Sequence, residues 1–495
     1  MEERKGFGSN FGFLMAAIGS AVGLGNIWGF PYKMGKCGGF TFLIVYLALA
    51  IVCGFIIMVG ELAIGRKTGA SAIKAYKLVS KKFKWIGWLG VASAFLIMSF
   101  YCALGGYCIK YIVLNFGTLI GAGFGGNGLS GGDVFGAFLT NQPESIIYGL
   151  VFVVLTMIIV MGGVSGGIEK MCSVGMPALF VMLLVCIVRA LTMDGAVEGL
   201  KFMFVPGYAV EAGFIESAPN IFNVISTAGG QMFFSLSIGM AAMITYGSYL
   251  DKKEILEKNA VVIVCCDTLI ALMAGLCVIP ASVAYGIQNG IAMSDLSLGG
   301  PKLLFVTMQN VFNGMGTVVG SVFGIIFFLL VLLAAISSSI SLLEAVVAHF
   351  VDNARDKGKG DKRKVYSLVV SIFIAILCVV VCADGLGSNG MYVPGMVRDA
   401  ATGAWTYTAT FNDCWLDFFD AISEGVMMPL GGLLMCFMLG WELRDDLVKS
   451  ECDAVPHHKF AIAGFYRVCI KVITPICMVL VLYGQLKDFF GGLFA

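Results

Sequence analysis

The sequence predicts an all-α polytopic membrane protein whose first and sixth membrane-spanning helices are broken. Of its 495 residues, 59% are hydrophobic and only 13% are charged, whereas a soluble domain carries about 25% charged residues. Apolar stretches of about 20 residues are long enough for a helix to cross a bilayer. Eleven such stretches occur at 10–32, 40–65, 88–115, 146–163, 169–191, 217–250, 258–287, 315–351, 365–383, 417–441 and 460–484.

The middle of the first span is unusually rich in glycine. Residues 19–26 read Gly-Ser-Ala-Val-Gly-Leu-Gly-Asn, and three glycines so close together weaken a helix. Lipid supplies no water to replace lost backbone hydrogen bonds, so irregular backbone at this depth persists only inside protein or beside a cavity. The run therefore predicts a broken helix beside a binding site for a small polar molecule.

The sixth span carries a second interruption, with glycines, an amide and two serines at 229–240. Two interruptions five spans apart predict an inverted five-plus-five repeat with the binding site at the breaks. We therefore expect one transporter domain over 1–495, with repeats at 10–191 and 217–441 and an eleventh helix at 460–484. The alternative is that these glycines serve only helix packing.

Lysine and arginine are concentrated in two connections between the spans. Seven lie within 66–84 and six within 352–364, whereas 117–145 contains none. By the positive-inside rule, we expect a cytoplasmic N-terminus and, after eleven crossings, an extracytoplasmic C-terminus, in the inner, or cytoplasmic, membrane. The net charge of +1 gives no indication of nucleic-acid binding, and the oligomeric state is not predicted.

Five motifs resemble those of the neurotransmitter:sodium symporters, particularly the bacterial amino-acid transporters of the LeuT type. They are Gly-Ser-Ala-Val-Gly-Leu-Gly-Asn-Ile-Trp at 19–28, Gly-Glu-Leu-Ala-Ile-Gly-Arg at 60–66, Gly-Gln-Met-Phe-Phe-Ser-Leu-Ser-Ile-Gly at 230–239, Ile-Thr-Tyr-Gly-Ser-Tyr at 244–249 and Ala-Ala-Ile-Ser-Ser-Ser at 334–339. The resemblance covers essentially the whole chain. It implies a LeuT-like fold and sodium-coupled transport of an amino acid, and an enzyme is the least favoured class.

The resemblance implies a substrate site at the two breaks, where free N–H groups at a helix N-terminus attract a carboxylate. The substrate carboxylate is expected to contact the N–H groups of Leu24 and Gly25 and the hydroxyl of Tyr101. The substrate ammonium is expected to contact the carbonyls of Ala21, Phe234 and Ser235 and the Ser237 side chain. Ser338 is also expected to belong to the substrate site.

Gly23 indicates the class of substrate. Relatives that transport biogenic amines carry aspartate at this position, so glycine implies a substrate that brings its own carboxylate, an amino acid. The side-chain pocket is expected to be lined by Ile97, Phe234, Met240 and Leu342. These residues favour a hydrophobic or aromatic substrate, and the flexible Met240 favours a broad range.

The resemblance also implies two sodium sites. The first consists of the Ala21 and Ser235 carbonyls, Asn26, the Ser235 hydroxyl, Asp267 and the substrate carboxylate. The second consists of the carbonyls of Gly19, Val22 and Ala334 and the hydroxyls of Ser337 and Ser338. For the serines, the alternative is hydrogen bonding to their own helix.

Asp267 is a carboxylate at membrane depth, which is costly and functional by default. Chloride-dependent relatives carry asparagine here and bind the anion nearby, so we expect transport without chloride. The alternatives are a carboxyl group kept protonated or paired for structure, or one that exchanges a proton on the return step. Glu61, the second buried acid, is expected to brace the unwound part of the sixth helix.

The resemblance places gates on both sides of the site. Arg4 and Asp352 match the cytoplasmic pair, with Tyr249 nearby. On the outer side, relatives have an arginine where this chain has Gly29, although the opposing aspartate is kept as Asp420. We expect Lys33, four residues on, to pair with Asp420. The alternative is that Lys33 is solvated and the outer lid consists of Tyr101 and Phe234 alone.

Taken together, the sequence predicts a sodium-coupled symporter that imports hydrophobic or aromatic amino acids by alternating access. Two alternatives remain open. One is a sodium-dependent amino-acid sensor that binds without transport, and the other is a proton-coupled exchanger of the same fold.

Overall fold

The computed structural model describes residues 7–126, 128–296, 300–391, 396–398, 405–407, 414–444 and 446–494. The helices of the first half are α1 Asn10–Ala21, α2 Gly25–Lys36, α3 Phe40–Thr68, α4 Ala72–Val79, α5 Ile86–Leu119, α6 Gly131–Thr140, α7 Gln142–Met161, α8 Val164–Leu191, α9 Ala196–Phe204 and α10 Tyr208–Glu211.

The helices of the second half are α11 Ile221–Ser235, α12 Ala242–Gly247, α13 Leu256–Gln288, α14 Gln309–Gly314, α15 Thr317–Asp356, α16 Arg363–Asp384, α17 Trp415–Glu442, α18 Asp446–Cys452 and α19 Ala463–Lys487, which continues to Phe494. A 3₁₀ turn at Met293–Asp295 and a π-helical turn at Leu303–Met308 precede α14. A short antiparallel hairpin, β1 Met396–Arg398 with β2 Trp405–Tyr407, pairs Met396 with Tyr407.

The predicted class, a polytopic all-α membrane fold, is confirmed. Within the described residues nine helices are long and apolar enough to cross a membrane, and a bent pair, α1 with α2, makes ten. The sixth predicted span is divided into α11 and α12, each too short to cross alone. The short helices between spans and the hairpin were not predicted.

The first break lies where the sequence predicts it. α1 and α2 are bent by 47°, and Val22 at the end of α1 has extended backbone with ψ of 104°. α2 then begins as a π-helical turn, Gly25–Gly29. The wider turn changes which residues of α2 share a face, and this matters for Lys33 below.

The second break, at 236–241, uses left-handed backbone. Ser237 and Ala241 have φ of 52° and 68°, and Gly239 has φ of 79°. Non-glycine residues adopt this conformation at a cost of roughly 1–3 kcal/mol each, and such residues cluster at functional sites. At Gly239 a Cβ would also lie 2.6 Å from the Met428 carbonyl oxygen, so only glycine fits there.

The two broken helices lie inside the bundle. α15 packs along α5, α7 and α8, while α1 packs against α8, α13 and α15. At one end of the bundle, Ser71 N–H donates to Asp352 Oδ2 (2.8 Å), and Lys74 bonds to Asp356 Oδ1 (2.7 Å). We call this end, which carries the lysine-rich connections 69–85 and 357–362, the basic face.

Candidate functional site

A small cavity separates the two breaks, with about 10 Å³ available to the centre of a water-sized sphere. It is lined by Ser20, Ala21, Gly23, Gly25, Ile97, Tyr101, Phe234, Ser237, Met240, Ser338 and Leu342. The structure thus brings together, at one cavity, nearly the whole set of residues that the sequence assigns to substrate. Leu24 and Ser235 lie behind this lining, and Ser20 was not predicted.

One end of the cavity offers hydrogen-bond donors. Leu24 N–H donates to the Tyr101 hydroxyl oxygen at 2.9 Å, and Gly23 N–H donates to Asn26 Oδ1 at 3.0 Å. Both N–H groups belong to the break itself and have no helical acceptor in the preceding turn. A carboxylate at this end would meet backbone N–H groups and the Tyr101 hydroxyl together.

The other end joins the two breaks through serine. Ser237 Oγ donates to the Ser20 carbonyl at 2.7 Å. Ser237 N–H donates to the Phe234 carbonyl at 3.3 Å, so that carbonyl, assigned to the ammonium, already has one partner. A carbonyl oxygen has two lone pairs and can accept a second donor. Ser20 shows no signal in the sequence beyond its place in the break.

A buried polar cluster lies directly behind the donor end of the cavity. Asn26 Nδ2 donates to Asp267 Oδ1 at 2.7 Å and to Ser235 Oγ at 3.0 Å, and Ser235 Oγ donates to Asp267 Oδ2 at 2.8 Å. All three side chains are fully buried. Turning the Asn26 carboxamide over would present its oxygen beside the Ser235 and Asp267 oxygens, a hard-oxygen set that suits a small cation. The same turn would release the Gly23 N–H group from Asn26 Oδ1 for another acceptor.

Tyr46 is a further neighbour of Asp267 that was not predicted. Its hydroxyl lies 3.5 Å from Asp267 Oδ2. It belongs to α3 and stacks against Phe42. Tyr46 therefore adds a third polar side chain, besides those of Asn26 and Ser235, to the surroundings of the carboxylate.

A second cluster joins α15 to α1. Ser338 Oγ lies 3.3 Å from the Gly19 carbonyl oxygen and 3.2 Å from that of Val22. Ser337 Oγ lies 3.4 Å from the Val22 carbonyl oxygen and 2.9 Å from that of Ala334. The predicted alternative, hydrogen bonding within the helix, therefore accounts for only one of these four contacts. Five neutral oxygens converge here, three of them carbonyls.

Two aromatic rings separate the cavity from a larger vestibule. The ring centroids of Tyr101 and Phe234 are 6.4 Å apart, and Phe234 lines both spaces. The vestibule has a volume of about 320 Å³ and is also lined by Trp28, Lys33, Lys36, Gln231, Asp417, Asp420, Glu424 and Gln485. The rings therefore form a lid between a small apolar space and a charged one.

The structure corrects the predicted partner of Lys33. Its ammonium forms an ion pair with Glu424, one turn beyond Asp420. Asp420 lies near enough for its charge to interact with both Lys33 and Glu424. Glu424 lies in a π-helical turn, Ala421–Met427, which shifts the helix face toward Lys33. The alternative of a solvated Lys33 is wrong in this structure, because 17% of its side chain is exposed.

Gln231 occupies the space beside Gly29, where relatives carry the gate arginine. Gln231 Nε2 donates to the Gly25 carbonyl at 2.7 Å. A Cβ at Gly29 would lie 2.8 Å from Gln231 Oε1, so the glycine leaves room for the amide. Gln231 thus connects the sixth helix to the first break, a role that sequence reasoning missed.

Glu61 lies against the second break as expected. Gly239 N–H donates to Glu61 Oε1 at 2.7 Å, and the side chain is 2% exposed. This contact satisfies an N–H group in the unwound segment, where no helical acceptor is available.

The basic face is closed by contacts between α15 and the end of the sixth helix. The Tyr249 hydroxyl donates to Glu344 Oε1 at 2.7 Å, and Arg363 forms an ion pair with Glu344 Oε2. Phe7 packs edge-on against Tyr249 with centroids 6.0 Å apart. Asp352 binds Ser71 N–H, while Arg4 lies outside the described residues. Glu344 and Arg363 were not predicted as gate residues.

Broken helices that enclose a small site with neutral oxygen clusters define a secondary transporter. The chain belongs to the sodium:neurotransmitter symporter family, whose family model matches residues 4–122 and 141–414. It therefore is a sodium-dependent, multi-pass membrane transporter of that family.

Two bacterial relatives match almost end to end. An uncharacterized sodium-dependent transporter from Bacillus subtilis, YhdH, is 32% identical over 477 residues, covering 96% of each chain. An uncharacterized sodium-dependent transporter from Haemophilus influenzae is 29% identical over 501 residues, 98% of this chain and 99% of the relative.

A solved structure shares the fold. It is that of MhsT in complex with L-phenylalanine, which matches with a TM-score of 0.80 and 32% identity and covers 97% of this chain and 100% of MhsT. The predicted LeuT-type architecture is thereby confirmed.

Proposed function

We propose that this protein is a symporter that imports hydrophobic or aromatic amino acids with sodium and without chloride. The observation that carries the proposal is the contact between the cavity and the Asn26–Ser235–Asp267 cluster. Gly23 N–H, at the donor end of the cavity, bonds to Asn26 Oδ1, and Asn26 Nδ2 bonds to Asp267. A substrate carboxylate and a sodium ion would therefore lie side by side.

Steric limits at Gly23 support an amino acid as substrate. A Cβ at this position would lie 2.3 Å from Ser338 Oγ and 2.6 Å from the Tyr101 hydroxyl. The protein therefore has no room for its own carboxylate at this point. A carboxylate at the donor end of the cavity would therefore have to come from the substrate.

The walls of the cavity support an apolar side chain. Ile97, Met240 and Leu342 are each at most 3% exposed and carry no polar side-chain atoms that need partners. MhsT, which shares the fold, was solved with L-phenylalanine bound. Met240 can change rotamer to admit side chains of different size.

We assign two sodium ions to the transport cycle. The first would bind at Asn26, Ser235 and Asp267 together with the substrate carboxylate. The second would bind between Ser337 and Ser338 and the carbonyls of Gly19, Val22 and Ala334. Because the first ion and the substrate complete each other's coordination, each raises the affinity of the other by the same factor.

Asp267 supports independence from chloride. Its carboxylate accepts hydrogen bonds from Asn26 and Ser235 and lies near Tyr46, so a negative charge fixed to the protein stands beside the first cation position. With the substrate carboxylate also at this cation, a chloride ion would add a further negative charge and meet like-charge repulsion in a site shielded from water.

The arrangement of gates supports alternating access. On the vestibule side the Tyr101–Phe234 lid and the Lys33–Glu424 pair close the cavity, and on the basic face Tyr249 and Glu344 close it. We assign the basic face to the cytoplasm because the two densest groups of lysine and arginine, seven residues within 66–84 and six within 352–364, lie at this end. The chain would then lie in the cytoplasmic membrane with its C-terminus outside.

Uptake by the purified protein in proteoliposomes tests the proposal. We expect [³H]phenylalanine, tyrosine, tryptophan and leucine to accumulate with an inward sodium gradient, and not with choline in place of sodium. Replacing chloride by gluconate should leave uptake unchanged. The double variant Ser337→Ala/Ser338→Ala should lose sodium-dependent uptake, while Gly136→Ala, where no described atom lies within 4 Å of the added methyl group, should retain it.

Two outcomes would favour the alternatives. Sodium-dependent binding without accumulation would indicate a sensor. Accumulation driven by a proton gradient in sodium-free buffer would indicate a proton-coupled exchanger.

A further inference from the structure

The carboxylate of Glu169, at the start of α8, caps the N-terminus of α1. Gly8 N–H donates to Glu169 Oε2 at 2.7 Å, and the Ser9 hydroxyl donates to Oε1 at 3.2 Å. Ser9 is itself the N-cap residue of α1, since its Oγ accepts from Gly12 N–H at 3.0 Å. A carboxylate here satisfies free N–H groups and interacts favourably with the positive end of the helix dipole.

Gly12 makes this contact possible. A Cβ at Gly12 would lie 1.9 Å from Glu169 Oε1 and 2.3 Å from its Cδ. No other residue type at position 12 leaves the carboxylate where it is. The α1 surface that faces α8 is therefore shaped to receive the Glu169 side chain.

The same face of α1 continues to the second serine cluster. A Cβ at Gly19 would lie 3.2 Å from Cys172 Sγ and 3.4 Å from Met176 Sδ, both on α8. The Gly19 carbonyl is one of the acceptors of Ser338. Contact between α1 and α8 thus runs from the Glu169 cap to the oxygens that we assign to the second sodium ion.

A different pair of residues attaches α1 to α13. Asn10 and Asn259 exchange hydrogen bonds through their carboxamides at 3.5 Å and 3.2 Å. α13 also carries Asp267, so this pair lies within the group of helices that surrounds the ions. The Asn10–Asn259 pair thus attaches the start of α1 to α13, whereas the Glu169 cap attaches it to α8.

From this geometry we propose that Glu169 is a positioning residue that keeps the basic-face pathway closed by holding the start of α1 against α8. The inference rests on the proposed transport function, because it gives a role in alternating access to a helix of the substrate site. α1 lies between the cavity and the basic face, and a pathway to that face opens when α1 leaves α8. The cap must break in that movement, whereas the Asn10–Asn259 pair can persist.

The cap and the second sodium ion are then linked. Both favour the arrangement in which α1 lies against α8 and α15, so loss of the cap shifts the population away from the form that binds sodium. An N-cap contact of ordinary strength predicts a rise of about five-fold in the sodium concentration for half-maximal uptake.

Hydrogen–deuterium exchange on the full chain in lipid nanodiscs, combined with sodium titration of uptake, tests the inference. Glu169→Ala should accelerate exchange of the amides in 8–18 in sodium buffer and raise the half-maximal sodium concentration. Gly12→Ala, whose added methyl group on α1 displaces the Glu169 carboxylate, should have the same two effects. The double variant should show the same exchange rate and half-maximal sodium concentration as either single variant, because both substitutions remove the same contact.

Two further variants serve as controls. Lys170→Ala changes the exposed neighbour of Glu169 and should leave exchange and the sodium titration as in the wild type. Glu169→Gln keeps one oxygen acceptor and should fall between the wild type and Glu169→Ala.

Unchanged exchange within 8–18 in Glu169→Ala would overturn the inference. Acceleration spread evenly over the whole chain would also overturn it, since that pattern reports general destabilisation. Failure of the wild type to take up amino acids with sodium would contradict the proposed function alone. Amide exchange in 8–18 measures the stability of the Glu169 cap whether or not the protein transports.

Discussion

Asn26 Nδ2 lies 2.7 Å from Asp267 Oδ1 and 3.1 Å from the Asp267 backbone carbonyl, so one amide group bonds to both the side chain and the main chain of the same residue. This contact connects the first break to α13. It places the carboxyl group of Asp267 at membrane depth against the break that borders the substrate cavity, and the first prediction tests the negative charge that we assign to it.

Replacing Asp267 with Asn removes the charge and keeps the shape. We expect uptake to fall by at least about ten-fold, equal to about 1.4 kcal/mol, because the first cation loses the anionic protein ligand assigned to it. Part of the lost uptake should return on raising external chloride in the variant. Initial uptake rates of the wild type and the variant in chloride and gluconate buffers measure both effects. If gluconate slowed the wild type as much as it slowed the variant, the role of the carboxylate would be contradicted.

The ion pair between Lys33 and Glu424 predicts which acid matters for the vestibule gate. Lys33→Ala and Glu424→Gln should each raise the Km for substrate by about three- to ten-fold, as expected for a partly buried pair. Asp420→Asn should have the smaller effect, because the ion pair of the Lys33 ammonium is with Glu424. A double-mutant cycle on Lys33 and Glu424 that gives strictly additive effects would show that the pair does not form in the transporting protein.

Gly29 is predicted to be intolerant of even a methyl group. Gly29→Ala would place its Cβ against Gln231 Oε1 and break the bond from Gln231 Nε2 to the Gly25 carbonyl, so the Km for substrate should rise several-fold. Gln231→Leu should reproduce the effect, and Gly136→Ala provides the matched glycine control. Kinetics of Gly29→Ala identical to those of the wild type would show that the amide bond does not position the break.

Glu61 is predicted to stabilise the fold through the second break. Glu61→Ala leaves the buried Gly239 N–H without an acceptor, which costs about 1–3 kcal/mol, and the variant should unfold at a lower temperature in detergent. Glu61→Gln retains an acceptor oxygen and should be closer to the wild type. Equal melting temperatures for all three proteins would count against a bracing role.

Met240 is predicted to set the upper size of the substrate side chain. Met240→Phe fills the apolar end of the cavity with a stiffer and bulkier group, so uptake of tryptophan should fall more than uptake of leucine or valine. Competition of labelled leucine by each amino acid measures the change. A uniform loss for all substrates would point to misfolding rather than to a change in selectivity.

The positions of both breaks could be predicted from the sequence because closely spaced glycines weaken a helix, and lipid tolerates a weakened helix only where protein or a cavity surrounds it. Residues of the cavity followed from the family resemblance, including Ile97, Tyr101 and Leu342, which lie outside the quoted motifs. The contact between Ser20 and Ser237 could not be predicted, since a backbone carbonyl leaves no mark in the sequence. The Ser237 hydroxyl points toward Ser20 because the backbone of Ser237 is left-handed, a conformation that serine does not favour.

The vestibule shows a different limit of sequence reasoning. The resemblance supplied Asp420, and a period of 3.6 residues per turn placed Lys33 on the same helix face as Gly29. The π-helical turns before Lys33 and around Glu424 change which residues face each other across the vestibule. The partner of Lys33 is therefore Glu424, one turn beyond Asp420. Glu169 is likewise the last residue of a π-helical turn, Val164–Glu169, and it belongs to none of the motifs of the sequence.

The bond between Ser237 Oγ and the Ser20 carbonyl has a consequence for biosynthesis. The first helix enters the membrane before the sixth span has been made, and until then the Ser20 carbonyl lacks the hydroxyl that it bonds to in the finished protein. The first half of the chain must therefore hold an incompletely hydrogen-bonded segment in or near the bilayer for as long as the ribosome takes to add about two hundred residues. During that interval the nascent chain depends on the insertion machinery, water or lipid headgroups to solvate the gap that the second half later closes.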